Sequence, residues 1–430
     1  MYEIDNKLKE RQKNNNLIHV GLIGAGQMGT EIVTQIGLME GMEISVVVDI
    51  DLEKAKNSYN YMKDKPEIVT ISIIDQAEKA MLAGKKIVSE NYRLATLLPD
   101  IDVVIDATGS VEMGAIISLE AFNNKKNVVM MSVECDVTIG PILRKLAENA
   151  GVIYSLAAGD EPAAIIELYR FASALGFTII AAGKGKNNPL NIYATPKDLK
   201  EKAEKRNMNA RMLCEFVDGS KTAIEMAAVS NATGLVPDLR GMHGAKSTVN
   251  ELTKVFCPKK DGGILNNIGV VDFAIGVHPG VFIIFTTDNE RIREGLVQRD
   301  MGLGPYYLLY RPYHLCSIEV PLTVAQIVLY GESSGHPMSN LTSECIVIAK
   351  KNMKAGEILD GVGEYCYRVS IERVDIARKE NFLPMGLAKG SMLKVDIKKD
   401  TIITNDMVKI KSDSILFHLR KIQDNIFSQD

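Results

Sequence analysis

The chain is 430 residues long, with 46% hydrophobic residues, 24% charged residues and a formal net charge of −4. That length exceeds what one core usually organises, so two or three domains are expected, and the near-neutral balance gives no field for holding nucleic acid or an anionic membrane. The six cysteines (Cys135, Cys214, Cys257, Cys316, Cys345 and Cys366) include no CxxC pair, which signals neither a disulfide framework nor a zinc cluster and suits reduced thiols in the cytoplasm.

The lead from Tyr2 to Asn16 is charged, unlike a signal peptide, and allows a short helix. Leu17 to Ile23 is an apolar, β-branched run that reads as a buried parallel strand. Gly24-Ala25-Gly26-Gln27-Met28-Gly29 follows, and a second strand runs from Ile44 to Asp49. Three glycines between a strand and a helix have a physical reading. Gly24 allows the tight turn, Gly26 lets the backbone approach a pyrophosphate, and Gly29 lets the helix pack on the strand. The phosphates then meet the unpaired N–H groups of the helix N-terminus, next to Gln27 and Met28. Asp49, 20 residues beyond Gly29, is suited to take two ribose hydroxyls and would repel a 2′-phosphate, which favours NAD over NADP.

Alternation continues with a helix over Asp51 to Tyr61, a strand over Ile68 to Ile74, a helix over Gln76 to Ala83 and a strand at Lys86 to Ser89. The strand Ile101 to Asp106 ends in Ala107-Thr108-Gly109. Carboxyl ends of strands in a doubly wound sheet face the ligand crevice, so Thr108 and Gly109 are expected beside the ribose or nicotinamide. A helix over Val111 to Asn123 and a strand over Asn127 to Met131 complete a parallel sheet of the Rossmann type.

Polar residues then gather at strand ends. Ser132 to Asp136 carries Glu134 and Asp136; a helix over Gly140 to Ala150 and a strand over Val152 to Ser155 deliver Asp160 and Glu161. These acids can orient substrate hydroxyls, hold a lysine or bind a metal through oxygen, or simply cap helices. A helix over Ala163 to Leu175 and a strand over Phe177 to Ala182 lead to the loop Gly183 to Pro189, where Lys184 and Lys186 can bind an anionic substrate group or stabilise and protonate a carbonyl oxygen. The bland alternative is a solvated turn.

The region from about Leu190 to Gly331 breaks the alternation and should carry the substrate surface. Asp218 and Lys221 sit at a helix entry, where Asp218 is a catalytic candidate or an N-cap. Arg240, His243, Arg311 and His314 can bind a phosphate or carboxylate or serve structure. Tyr306, Tyr307, Tyr310 and Tyr313 suit core and interface. The apolar stretch Val270 to Thr287 is broken by Asp272, His278 and Pro279, so nothing here spans a membrane. A helix at Pro321 to Tyr330 closes the region, and Ser333 to Thr342 marks a boundary. The remainder is β-rich, with a strand at Cys345 to Ala349, a turn at Lys354 to Leu359, a loop at Leu383 to Gly390, a segment at Met392 to Ile397 and a short charged terminal helix.

Through Gly24 to Gly29, Asp106 to Gly109 and the acid and lysine loops, the first half resembles the homoserine dehydrogenase-like dinucleotide-binding enzymes. Residues 343–410, through Ile348-Ala349-Lys350, Ala355-Gly356-Glu357 and Leu383 to Leu387, resemble a SAF domain, the module also attached to sialic acid synthase and altronate dehydratase. The combination is similar to the oxidoreductases with a SAF domain, a group that includes 1-deoxy-D-xylulose 5-phosphate reductoisomerase-like enzymes. The resemblance implies NAD(P)H-dependent reduction of a small polyol or keto-sugar derivative, and in the reductoisomerase-like branch NADPH, a divalent metal and a prior skeletal rearrangement. The sequence shows no compact carboxylate set with metal spacing, and the metal stays unassigned.

The expected architecture is α/β: a doubly wound Rossmann domain over 17–165, a mixed α/β substrate domain over 166–332, and a small β-rich SAF-like domain over 343–412. The expected function is a cytoplasmic, homo-oligomeric NAD(P)-dependent oxidoreductase passing hydride between nicotinamide and a carbonyl or alcohol carbon. Lys184, Lys186, Glu134, Glu161, Asp218 and Lys221 are the catalytic candidates, and Asp160 joins Arg240, His243, Arg311 and His314 as substrate ligands. The alternatives are the isomerising reductase and a non-catalytic NAD(P)-sensing scaffold.

Overall fold

The computed structural model describes residues 3–206 and 208–427; Tyr2 lies outside them. In chain order the elements are α1 (Ile4–Lys13), β1 (Ile18–Ile23), α2 (Gln27–Ile36), β2 (Met42–Val48), α3 (Leu52–Asn57), β3 (Ile68–Thr70), α4 (Ile74–Leu82), β4 (Lys86–Ser89), α5 (Arg93–Leu97), β5 (Val103–Asp106), α6 (Val111–Asn123), β6 (Asn127–Met130), α7 (Val133–Ala150), β7 (Tyr154–Leu156) and α8 (Glu161–Ala174). There follow β8 (Thr178–Lys186), α9 (Pro196–Lys205), α10 (Ala210–Val217), α11 (Ser220–Thr233), β9 (Val236–Pro237), α12 (Leu252–Val255), β10 (Val270–Ile275), β11 (Val281–Thr286), α13 (Glu290–Val297), β12 (Tyr307–Arg311) and α14 (Cys316–Tyr330). The chain ends with β13 (Ser343–Ala349), β14 (Tyr367–Arg373), α15 (Val374–Lys379), β15 (Met392–Leu393), β16 (Val408–Lys409) and α16 (Ile415–Phe427). The contacts form two units, one of residues up to 163 with 315–336, the other of 164–314 with 337 onward.

The first unit is built on a sheet in the order β3-β4-β2-β1-β5-β6-β7, and every pairing in it is parallel. Order reverses between β1 and β5, the switch point at which a doubly wound sheet opens a crevice. Val20, Leu22, Val47, Val103 and Ile105 are fully buried with Ile32 and Val33 of α2, which explains the near-continuous apolar strands: helices cover both faces of a parallel sheet. Each such side chain stabilises the fold by about 1.5–3 kcal/mol. Val320, Val324 and Ala325 of α14 join this core. Leu156 donates its N–H to the Gly335 carbonyl at 2.7 Å, and Ala158 donates to the Thr323 hydroxyl at 2.8 Å.

In the second unit a five-stranded sheet has the order β12-β11-β8-β10-β9, with β8 at its centre. β10 runs parallel to β8 and β11 antiparallel to it. β13 and β14 form an antiparallel ladder, pairing Val347 with Val369 and Ala349 with Tyr367. This C-terminal module docks on α11: Ser220 Oγ accepts the Val369 N–H at 2.9 Å, and Ser230 and Ser343 hydroxyls lie 2.6 Å apart.

Several boundaries differ from the sequence reading, among them the strand expected over Ile68 to Ile74, which ends at Thr70; three of the differences have a local reason. The helix expected at Gly140 starts at Val133, and that expected at Pro321 starts at Cys316, because both carry an internal proline. Proline suits a first turn, where no N–H is needed, and so it mimics a start. The Gly183 to Pro189 loop is instead strand as far as Lys186. A Cβ on Gly183 would lie 2.4 Å from the Asp272 carbonyl oxygen, and one on Gly185 1.2 Å from that of Val277. These glycines mark close backbone approach inside a sheet rather than a turn. None of the six cysteines is in a disulfide, and among the described residues no helix is long and apolar enough to cross a membrane.

Candidate active site

The glycine turn of the first unit has the geometry its residues require. Gly24 has φ +103°, and a Cβ there would lie 2.5 Å from the Ala107 carbonyl oxygen after β5. A Cβ on Gly29 would lie 2.0 Å from the Gly24 carbonyl oxygen. Around the Cβ position of Gly26 nothing lies within 4 Å. Gly26, Gln27 and Met28 are exposed, and no side chain caps the start of α2. An open approach to unpaired helix N–H groups fits a pyrophosphate. Asp49 follows β2 directly; its Oδ2 accepts the Ala25 N–H at 2.7 Å and its Oδ1 the Asp51 N–H at 2.9 Å. A carboxylate has about four acceptor sites, so Asp49 anchors the glycine turn with capacity left for ribose hydroxyls.

Thr108 is oriented by Asp106, a buried acid beyond the sequence-based candidates. Thr108 donates to Asp106 Oδ1 through its N–H at 3.0 Å and its hydroxyl at 2.7 Å. Burial pushes the Asp106 carboxyl up to about 6 against those two bonds. Helix α6 comes close here, since a Cβ on Gly114 would lie 2.9 Å from Asp106 Oδ2.

Glu134 and Asp136 lie in the first turn of α7 rather than in a loop, where the helix dipole favours negative charge. Glu134 is partly exposed and Asp136 fully buried. Asp136 Oδ1 accepts the Tyr154 hydroxyl at 2.9 Å, and burial pushes its carboxyl up to about 7. This folded value lies above that of an unfolded chain, so the stability it contributes is fully present below about pH 4 and lost as pH rises through about 7. Asp136→Asn keeps an oxygen for Tyr154. It is expected to melt about 2–8 °C above wild type at pH 8, with a smaller gap at pH 5; calorimetry giving equal melting temperatures at pH 8 would contradict this account. Asp160 Oδ1 lies 3.8 Å from Cys316 Sγ, and Glu161 begins α8.

The lysines of the second unit are central rather than peripheral. Lys184 and Lys186, two apart on β8, point to one face of the sheet, and they are only 8% and 5% exposed. Lys184 is ion-paired with Glu225 of α11, and Lys186 donates to the Phe216 carbonyl oxygen at the end of α10. Burial and the neighbouring Lys184 charge push the Lys186 ammonium down to about 8, opposed by Glu225 and Asp218. Asp218 caps the C-terminus of α10 rather than an N-terminus. Its Oδ1 accepts the Ser220 N–H at 2.8 Å, and Gly219, φ +87°, turns the chain into α11. Lys221 is half-buried in the first turn of α11.

The substrate candidates of this unit have structural partners. Arg240 Nε lies 2.6 Å from Glu372 Oε2 of β14, His243 Nε2 2.8 Å from Asp238 Oδ2, and Arg311 2.9 Å from Glu167 Oε2. The glycine-dense turn containing His243 is held by Asp272, which accepts the N–H groups of His243 at 3.1 Å and Gly244 at 2.9 Å. Each of Arg240, His243 and Arg311 is thus oriented by an acidic neighbour, and Arg240 keeps 42% of its side chain exposed. His314 falls in the segment between β12 and α14. Sequence reasoning missed the pairing of Glu225 with Lys184 and that of Lys350, directly after β13, with Asp218 at 2.6 Å. Its one signal for the latter was a charge closing the apolar run Cys345 to Ala349.

Residues 24–157 match the model of the homoserine dehydrogenase NAD-binding domain, and residues 159–320 that of the catalytic domain of oxidoreductase DRL. No curated protein matches the chain. Among solved structures, a probable dehydrogenase from Thermotoga maritima aligns at 12% identity over 74% of this chain and 90% of its own, with a TM-score of 0.41. Myo-inositol 2-dehydrogenase from Lactobacillus plantarum aligns at 12% over 74% and 91%, TM-score 0.40, and dihydrodipicolinate reductase from Paenisporosarcina sp. TG-14 at 16% over 74% and 97%, TM-score 0.37. The chain is an NAD(P)-dependent oxidoreductase whose NAD-binding region is similar to that of homoserine dehydrogenase and whose following region is similar to the catalytic domain of oxidoreductase DRL.

Proposed function

We propose that this oxidoreductase interconverts a carbonyl and an alcohol carbon in a small polyol or keto-sugar derivative, with Lys186 as proton donor and acceptor. The observation that carries the reading is the buried lysine pair on one face of β8, with Lys186 pushed down to about 8. A general acid or base works best when its pKa lies near the working pH. Bound nicotinamide dinucleotide supplies or accepts the hydride. In reduction, Lys186 hydrogen-bonds the carbonyl oxygen and gives it a proton, leaving CH–OH; in oxidation it takes the hydroxyl proton back. Lys184, held by Glu225, keeps a positive field where oxygen gains negative charge. Glu134, Asp160, Glu161 and Lys221 remain candidates for binding substrate hydroxyls.

NAD is the proposed cofactor. Asp49 is held by two backbone N–H groups, and a fixed carboxylate disfavours a 2′-phosphate. The nearby lysines have acidic neighbours, Lys54 near Asp51 at 3.8 Å and Lys56 near Glu53 at 2.8 Å. Fluorescence titration should show NADH binding more tightly than NADPH by at least about tenfold, worth about 1.4 kcal/mol. The reverse order would overturn this choice.

Turnover is tested with a panel of polyols and keto-sugars, plus 1-deoxy-D-xylulose 5-phosphate with magnesium or manganese. Redox change with a polyol or keto-sugar supports the proposal. Turnover of the deoxyxylulose phosphate alone favours the isomerising reductase, and cofactor binding without turnover on any member counts against both. Cytoplasmic residence and assembly as a homo-oligomer belong to this proposal, the latter checked by light scattering.

A further inference from the structure

The C-terminal module places one buried cation beside the lysine cluster. Lys350, directly after β13, is 5% exposed. Its ammonium lies 2.6 Å from Asp218 Oδ2 and donates to the carbonyl oxygens of Ala194 at 2.8 Å and Glu364 at 3.0 Å. Its own backbone is pinned within the module, the Lys350 N–H meeting the Cys366 carbonyl at 2.9 Å. Asp218 is 1% exposed. It forms the corner between α10 and α11 with Gly219 and Ser220, and β14 grips that corner through the Val369 N–H on Ser220 Oγ at 2.9 Å.

The same corner holds both lysines of β8. The Phe216 carbonyl that receives the Lys186 ammonium lies two residues before Asp218, and α11, which starts at the corner, carries Glu225 to Lys184. We propose that Lys350 is a positioning residue for Lys186: through Asp218 it fixes the α10–α11 corner and balances the Asp218 carboxylate, so that the C-terminal module completes the proton-transfer site. A module that served only assembly would have no need of a buried charge at this point. Leaving a buried carboxylate without its partner is costly, and so is burying a lysine without one; the pairing ties the module to the corner on both counts. The charged groups acting on Lys186 are Lys184 of its own strand, Glu225 of α11 and Asp218 at the corner. Lys350 and, from β14, Arg368 act on Asp218 in turn.

This inference rests on the reading of Lys186 as the proton donor, but its test needs no substrate. The full-length protein is labelled with 13Cε-lysine, and the resonance absent from Lys186→Met is titrated. Wild type should titrate near 8. Lys350→Met leaves the Asp218 charge unbalanced beside Lys186 and should move the midpoint up by about one unit; Lys350→Arg should restore it, and Lys350→Met with Asp218→Asn should bring it back toward wild type. A midpoint unmoved in folded Lys350→Met overturns the proposal. If that variant does not fold, Asp218→Asn takes its place, with a midpoint expected to fall and an unmoved one overturning the proposal. Loss of turnover in Lys186→Met bears on the proton-donor reading, whereas these shifts bear on Lys350 alone.

Discussion

Lys186→Met is expected to lower turnover of a carbonyl substrate by about 10²–10⁴-fold, the usual contribution of a positioned acid or base, while cofactor affinity stays within about twofold, worth about 0.4 kcal/mol. The pH dependence gives the sharper result. Lys186 is pushed down to about 8, so it carries its proton below that pH and loses it above. Reduction should run on a plateau at lower pH and decline as pH rises through about 8; oxidation should rise through the same pH. Lys184→Met removes a like charge and leaves Glu225 as a nearby carboxylate, so it should move both limbs upward. Steady-state rates from pH 6 to 10 check this. A Lys186→Met enzyme that keeps wild-type turnover and both limbs would end the assignment.

Substitutions in the glycine turn should separate fold from cofactor. Gly24→Ala forces a side chain into φ +103° and toward the Ala107 carbonyl oxygen, and Gly29→Ala sets one 2.0 Å from the Gly24 carbonyl oxygen. Both should lower the stability of the first unit by about 1–3 kcal/mol and abolish measurable NADH binding. Gly26→Ala differs, because its Cβ meets no protein atom within 4 Å and its φ of −69° suits alanine. It should melt with wild type yet bind NADH at least about tenfold more weakly, a difference of about 1.4 kcal/mol, since the methyl occupies the backbone approach to the pyrophosphate. Titration and thermal melts decide it. Wild-type affinity in Gly26→Ala would mean that the pyrophosphate does not meet the turn as proposed.

The contrast between these two sites shows where sequence reading works. The glycine turn is local: the strand Leu17 to Ile23, the glycines and Asp49 lie within 33 residues, and periodicity with backbone sterics is enough to read them. The lysine cluster joins residues from β8, α10, α11 and the end of β13, spread over 166 positions from Lys184 to Lys350. No spacing rule brings those together. Alternating glycines at 183 and 185 also look like a loop until the Val277 backbone is seen to pack against one of them. Pro141 and Pro321 look like helix starts until their helices are seen to begin earlier.

By itself, then, the sequence determined a doubly wound parallel sheet, the glycine turn after β1 and the carboxylate at the end of β2, because each follows from the period of apolar residues and the conformations open to glycine. Only the tertiary structure decided that Asp136 is buried against Tyr154, that Arg240 and His243 are braced by Glu372 and Asp238, and that Lys184 and Lys186 share a buried face with Glu225 and Asp218 nearby. Burial and charge proximity set the protonation of these groups, and both depend on which distant segments the fold brings into contact.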